Sequence, residues 1–65
     1  MRGEDRSAAG EVYFEFTPVA GTVRVAAIDA ATGTEVTVIG PARASEADLK
    51  RLALQKLRAR LRAGN

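Results

Sequence analysis

Cysteine, histidine and tryptophan are all absent from this 65-residue chain. Without cysteine no disulfide can staple the fold. Without histidine the chain lacks the commonest metal ligand and the side chain that titrates near neutrality. The two serines, Ser7 and Ser45, therefore have no imidazole to activate them as nucleophiles. No apolar run approaches the ~20 residues of a membrane span. The first ten residues alternate charged and small side chains and hold nothing like the roughly 7–15 apolar residues of a secretory signal. These absences lead us to expect a cytoplasmic protein with no membrane partner, no metal or other cofactor and no enzymatic activity. A chain this short buries only roughly 60% of the surface it exposes when unfolded, so it is one domain at most.

What is present is strongly patterned. Residues 1–10, with Arg2, Glu4, Asp5 and Arg6, offer little apolar surface to offset the entropy of ordering and are expected to form a flexible tail. From Glu11, strict alternation places Val12, Phe14 and Phe16 on one side and Glu11, Tyr13, Glu15 and Thr17 on the other, the period of a half-buried strand. Pro18 is expected to end it, with a turn completed by Gly21. Alternation resumes over residues 22–28, with Val23, Val25 and Ala27 on one face and Arg24, Ala26 and Ile28 on the other. The segment Asp29-Ala30-Ala31-Thr32-Gly33-Thr34 reads as a tight turn. A third strand over residues 35–39 completes an antiparallel hairpin, and Gly40-Pro41 is expected to stop the sheet.

Ser45-Glu46-Ala47-Asp48 carries a hydroxyl followed three residues later by a carboxylate, the signature of a capped helix start. The helix should run to about Arg62, with basic residues in its last turn and Gly64 beyond. Leu49, Ala53, Leu57 and Leu61 recur every four residues as its apolar row, flanked by Leu52 and Leu54. Such a helix spans roughly 25 Å and a seven-residue strand roughly 23 Å, so the two layers match in length. The pattern predicts an α+β fold: a three-stranded antiparallel meander in the order 1-2-3 with one C-terminal helix on one face (β-β-β-α), a single domain over residues 11–63. The expected core joins Val12, Phe14, Phe16, Val23, Val25, Val36 and Val38 to Leu49, Leu57 and Leu61. Ala27 and Ala53 should mark the close approach between the layers.

Four separated strings can be read together: Glu11-Val12-Tyr13-Phe14-Glu15-Phe16, the run from Ala27 to Val36, Gly40-Pro41, and the run from Ser45 to Leu57. On these residues the chain resembles a family of short alphaproteobacterial proteins classed as a domain of unknown function. The resemblance covers nearly everything from residue 11 onward. It implies a small standalone bacterial protein and brings with it no catalytic residue.

The chemistry-bearing residues do not assemble a reaction centre. Glu11 and Glu15 share a strand face but lie roughly 13 Å apart, too far for a glycosidase pair. Asp29 and Glu35 flank a turn without the alternating Asp and Asn ligands of a calcium loop. Gly21, Gly33 and Gly40 form no phosphate-binding fingerprint. No small-molecule substrate is evident.

Charge is more informative. The net +2 conceals a division: residues 1–44 hold four Lys and Arg against six Asp and Glu, and residues 45–65 hold six against two. Arg51, Arg58 and Arg62 fall on one exposed stripe of the helix, a candidate contact for the phosphates of a nucleic acid. The open sheet face instead carries Glu11, Glu15 and Glu35 against Arg24, which would repel phosphate. That face also shows Tyr13, Ala26, Ile28 and Ile39. Leu52 and Leu54 lie roughly 160° apart around the helix, so one of them should stay exposed. Strand three, β-branched and with one charge at its start, reads as a weakly protected edge. Tyr13, Ala26, Ile28, Ile39, Leu52 and Leu54 are therefore the candidate protein interface. The expected function is a protein-interaction module that binds a partner or associates with itself through the open face or the strand-three edge. Nucleic-acid association through the basic helix is the alternative.

Overall fold

The computed structural model describes residues 11–64, so the tail expected over residues 1–10 lies outside the described part. Three strands precede one helix: β1 (Val12–Val19), β2 (Thr22–Asp29), β3 (Glu35–Pro41) and α1 (Glu46–Arg62). The sheet is antiparallel in the order β1-β2-β3. This is the β-β-β-α arrangement that the alternating strands and the four-residue leucine row imply.

Pro18 does not end β1, which continues to Val19 with Pro18 opposite Val23. The alternation of backbone groups explains this. The Glu11 carbonyl accepts from Ala30 N–H at 3.1 Å, so the odd-numbered residues of β1 direct their backbone groups toward β2. Val12, Phe14, Phe16 and Pro18 then direct theirs to the free edge, where a missing N–H costs no ladder bond. Val19 pairs with Thr22 across the two-residue loop Ala20-Gly21, whose φ angles of 40° and 85° belong to the hairpin turn that matches strand twist. The Thr22 hydroxyl closes it by donating to the Val19 carbonyl at 2.7 Å.

The helix begins as expected: Ser45 Oγ accepts from Asp48 N–H at 3.2 Å. Asp48 does not complete the reciprocal half of a capping box. Its carboxylate instead pairs with Arg51 one turn on. At the far end Ala63 N–H reaches the Ala59 carbonyl at 3.1 Å and Gly64 N–H the Leu61 carbonyl at 3.2 Å, closing the last turn.

The core is narrower than the sequence pattern suggests. Val25, Ala27, Val36, Leu49, Ala53 and Leu57 are buried together, whereas Val12, Phe14, Phe16, Val23, Val38 and Leu61 are only partly covered at its margin. The reason is the position of α1, which packs on β2 and β3 and keeps its distance from β1. Small residues fix that position. Ala27 and Ala53 are fully buried where the layers meet. At Gly40, which continues β3 rather than stopping it, a Cβ atom would lie 2.6 Å from Leu49 Cδ2.

Gly40→Ala should therefore overpack the contact with Leu49, itself 4% exposed, and destabilise the fold by about 1–3 kcal/mol. Thermal or urea unfolding checks this, and an unchanged midpoint would show that Leu49 can move aside.

Candidate interaction surface

The offset of α1 leaves an apolar trough between the helix and β1. Two adjoining concavities of about 380 and 320 Å³ share Phe14 and Leu54. In the larger one, Val12 and Phe14 form the strand wall and Leu54, Leu57 and Leu61 the helix wall, with Asp29 and Arg58 at its polar end. Lys50 and Arg51 border the smaller one, and the Lys50 ammonium sits 5.1 Å from the centre of the Phe14 ring, within cation–π range. The walls of the trough are thus hydrocarbon, and three cationic side chains, Lys50, Arg51 and Arg58, rim it.

Asp29 is 5% exposed and is held by the turn it heads. Its Oδ2 accepts from Thr32 N–H at 3.1 Å and from the Thr32 hydroxyl at 2.7 Å. Its backbone N–H donates to the Thr34 carbonyl at 2.8 Å, and its carbonyl accepts from Gly33 N–H at 2.7 Å. Thr32 Oγ1 in turn accepts from Thr34 N–H at 3.2 Å. This is a carboxylate organising its own turn, as the Asp-to-Thr spacing implies. Among the described residues no cluster of three or more acidic, cysteine or histidine side chains could hold a metal ion.

The sequence-derived candidates separate into different places. On the open sheet face Tyr13 is 53% exposed and Ile39 69% exposed, but Ala26 is 6% exposed. Ala26 sits on the middle strand between Glu15 and Thr37; its single methyl lies below longer neighbours and offers almost no contact area. Ile28 is partly covered. The two flanking leucines divide as their angle requires: Leu52 is exposed, and Leu54 turns into the trough against Phe14. Arg51, Arg58 and Arg62 are all exposed. Arg51 is paired with Asp48, and Arg58 borders the trough.

The β3 edge is better guarded than its β-branched sequence suggests. Lys56 reaches from α1 to donate to the Thr37 carbonyl at 2.6 Å, placing an ammonium on the edge strand, a common device against edge pairing. The nineteen-residue separation of the two groups hides this from local sequence patterns. The trough was hidden for a similar reason, since alternation marks Val12, Phe14 and Phe16 as inward-facing without revealing how far the helix covers them.

Fold and surface together define a small two-layer α+β domain with one solvated sheet face and an incompletely closed core along β1. The chain belongs to the family defined by the domain of unknown function DUF6898, whose model matches residues 9–64. No curated protein and no solved structure matches it significantly.

The Asp29 turn supplies a direct test. Asp29→Ala removes the carboxylate that accepts two part-buried hydrogen bonds from Thr32 and should cost about 1–3 kcal/mol in chemical unfolding. Asp29→Asn keeps an acceptor and should cost clearly less; equal losses would show that the turn does not depend on this hydrogen bond.

Proposed function

We propose that this domain is a non-enzymatic protein-interaction module whose binding surface is the trough between β1 and α1. The observation that carries this reading is the partial exposure of Val12, Phe14, Leu54 and Leu61, which line one concavity in a domain with few residues to spare for its core. Exposed apolar surface with a polar rim is characteristic of association sites. The open face, with Tyr13, Ile28 and Ile39, is the weaker candidate because Ala26 and the acidic Glu11, Glu15 and Glu35 interrupt it. The strand-three edge is weaker still, given Lys56. A cytoplasmic bacterial setting without cofactor or small-molecule substrate belongs to the same proposal and rests on composition and family resemblance rather than on the fold.

Capture from the native cell extract distinguishes the surfaces. Leu54→Lys, at a half-buried margin of the core, should abolish retention of proteins held by the unaltered chain, while Ile39→Lys should retain them. The reverse pattern would move the site to the open face. Identical capture by all three forms would overturn both assignments.

A second reading, nucleic-acid association, is favoured by the exposure of Arg51, Arg58 and Arg62 on one helix. The Asp48 pairing of Arg51 weighs against it, as does the acidic character of the open sheet face, which repels phosphate. The leading reading predicts no mobility shift of labelled DNA or RNA at low salt, where phosphate contacts are strongest. A shift lost on Arg58→Glu would establish the second reading instead.

A further inference from the structure

We infer that the partner in the trough is a second copy of this chain, joined by antiparallel pairing of β1 with β1 of its twin into a continuous six-stranded sheet. The inference rests on the interaction reading above and names the occupant. It begins with the two sheet edges. Lys56 occupies the edge of β3, whereas no described strand pairs with the outer edge of β1. There the N–H and C=O groups of Val12, Phe14 and Phe16 point outward; the side chains of Val12 and Phe14 line the trough, and Phe16, on the same face, packs against the core. An added strand can satisfy those groups and supply apolar side chains to the trough at the same time, as strand addition requires.

Charge and proline select one register. Only outward-facing residues can form the hydrogen-bonded pairs, so the twofold axis must pass through residue 12, 13, 14, 15 or 16. An axis through Tyr13 sets Glu11 opposite Glu15 of the twin, and an axis through Glu15 sets the two Glu15 side chains against each other; like charges directly opposite destabilise a pair. An axis through Phe16 places Pro18 against Phe14 and loses a donor. An axis through Val12 leaves Phe16 beyond the pairing of strand with strand. The axis through Phe14 avoids each fault. Val12 then exchanges both hydrogen bonds with Phe16 of the twin, Phe14 with its own counterpart, Tyr13 stands beside Glu15, and Glu11 beside Thr17. Pro18 falls just past the ladder.

This arrangement also fits the trough. The twofold axis stands perpendicular to the sheet, so both helices lie on the same face and flank the joined β1 strands. With strands roughly 4.8 Å apart and each helix seated over β2 and β3, the helices stand about 19 Å from each other, well beyond direct helix–helix packing. The space between them is left to Val12, Phe14, Phe16, Leu54 and Leu61 of both chains, with Phe16 of one chain entering the larger concavity beside Val12 of the other. Residues 1–10 are a poor substitute for the twin, because Met1 is their one large apolar side chain and the trough takes an alternating apolar row.

Sedimentation of the full chain over a hundredfold concentration range should show a reversible dimer. Tyr13, exposed on the open face, reports the register without disturbing the core. Tyr13→Lys gains two cross-strand contacts with Glu15 and should tighten the dimer roughly three- to tenfold, and Tyr13→Glu should weaken it by a similar factor. Because the chain has no cysteine, a mixture of Tyr13→Cys and Glu15→Cys chains adds a geometric readout. The unlike pair lies about 4.5 Å apart at Cα and should cross-link under mild oxidation. Two copies of Tyr13→Cys lie diagonally at about 7–8 Å, beyond disulfide reach, and should not. A strictly monomeric chain would overturn the twin as partner while leaving the trough to the capture experiment with Leu54→Lys. A dimer indifferent to residue 13, or one that cross-links like and unlike pairs equally, would overturn the β1 pairing.

Discussion

The seating of α1 on β2 and β3 is the constraint from which the rest of this domain follows, and it depends on removing side-chain bulk where the layers meet. Gly40 leaves room for the Leu49 side chain, and Ala27 and Ala53 let the helix settle against the middle of the sheet. Leu57 and Val25 then become fully buried. A single helix cannot cover three strands equally at close range, so drawing it toward β3 withdraws it from β1. The well-packed core and the uncovered margin are one consequence of the same packing.

That asymmetry makes the two edges of the sheet unlike. On the helix-covered side Lys56 lies close enough to reach the Thr37 carbonyl and guard the β3 edge. On the other side the inward residues of β1 are half-covered and no described strand lies beside its outer backbone groups. Pro18 limits the length over which that edge can pair, and the carboxylates of Glu11 and Glu15 limit the registers in which it can do so. The interaction reading draws on this coincidence of open backbone and open trough. Neither feature alone would select a partner.

Much of the architecture was legible because it rests on local periodicity. Two-residue alternation located three strands, the four-residue leucine row located the helix, and Ser45 and the Asp29 turn marked boundaries that side-chain hydrogen bonds enforce. Pro18 misled because proline's penalty depends on which way its missing N–H would point, and that is set by strand order. Ala26 lies on the open face yet is 6% exposed, because alternation reports the face a residue occupies, not how far its neighbours rise above it. The trough itself could not be found from periodicity, which identifies an inward face but not the lateral position of the helix upon it.

Composition alone determined that the domain has no disulfide and no imidazole chemistry, and pattern alone determined its β-β-β-α order, because both follow from residue identity and short spacings. Tertiary structure decided which inward residues are truly buried, which edge is guarded and where the apolar surface lies open. Those properties depend on one close approach between Gly40 and Leu49 and on a contact between Lys56 and Thr37, each joining residues from different elements, beyond the reach of local spacing.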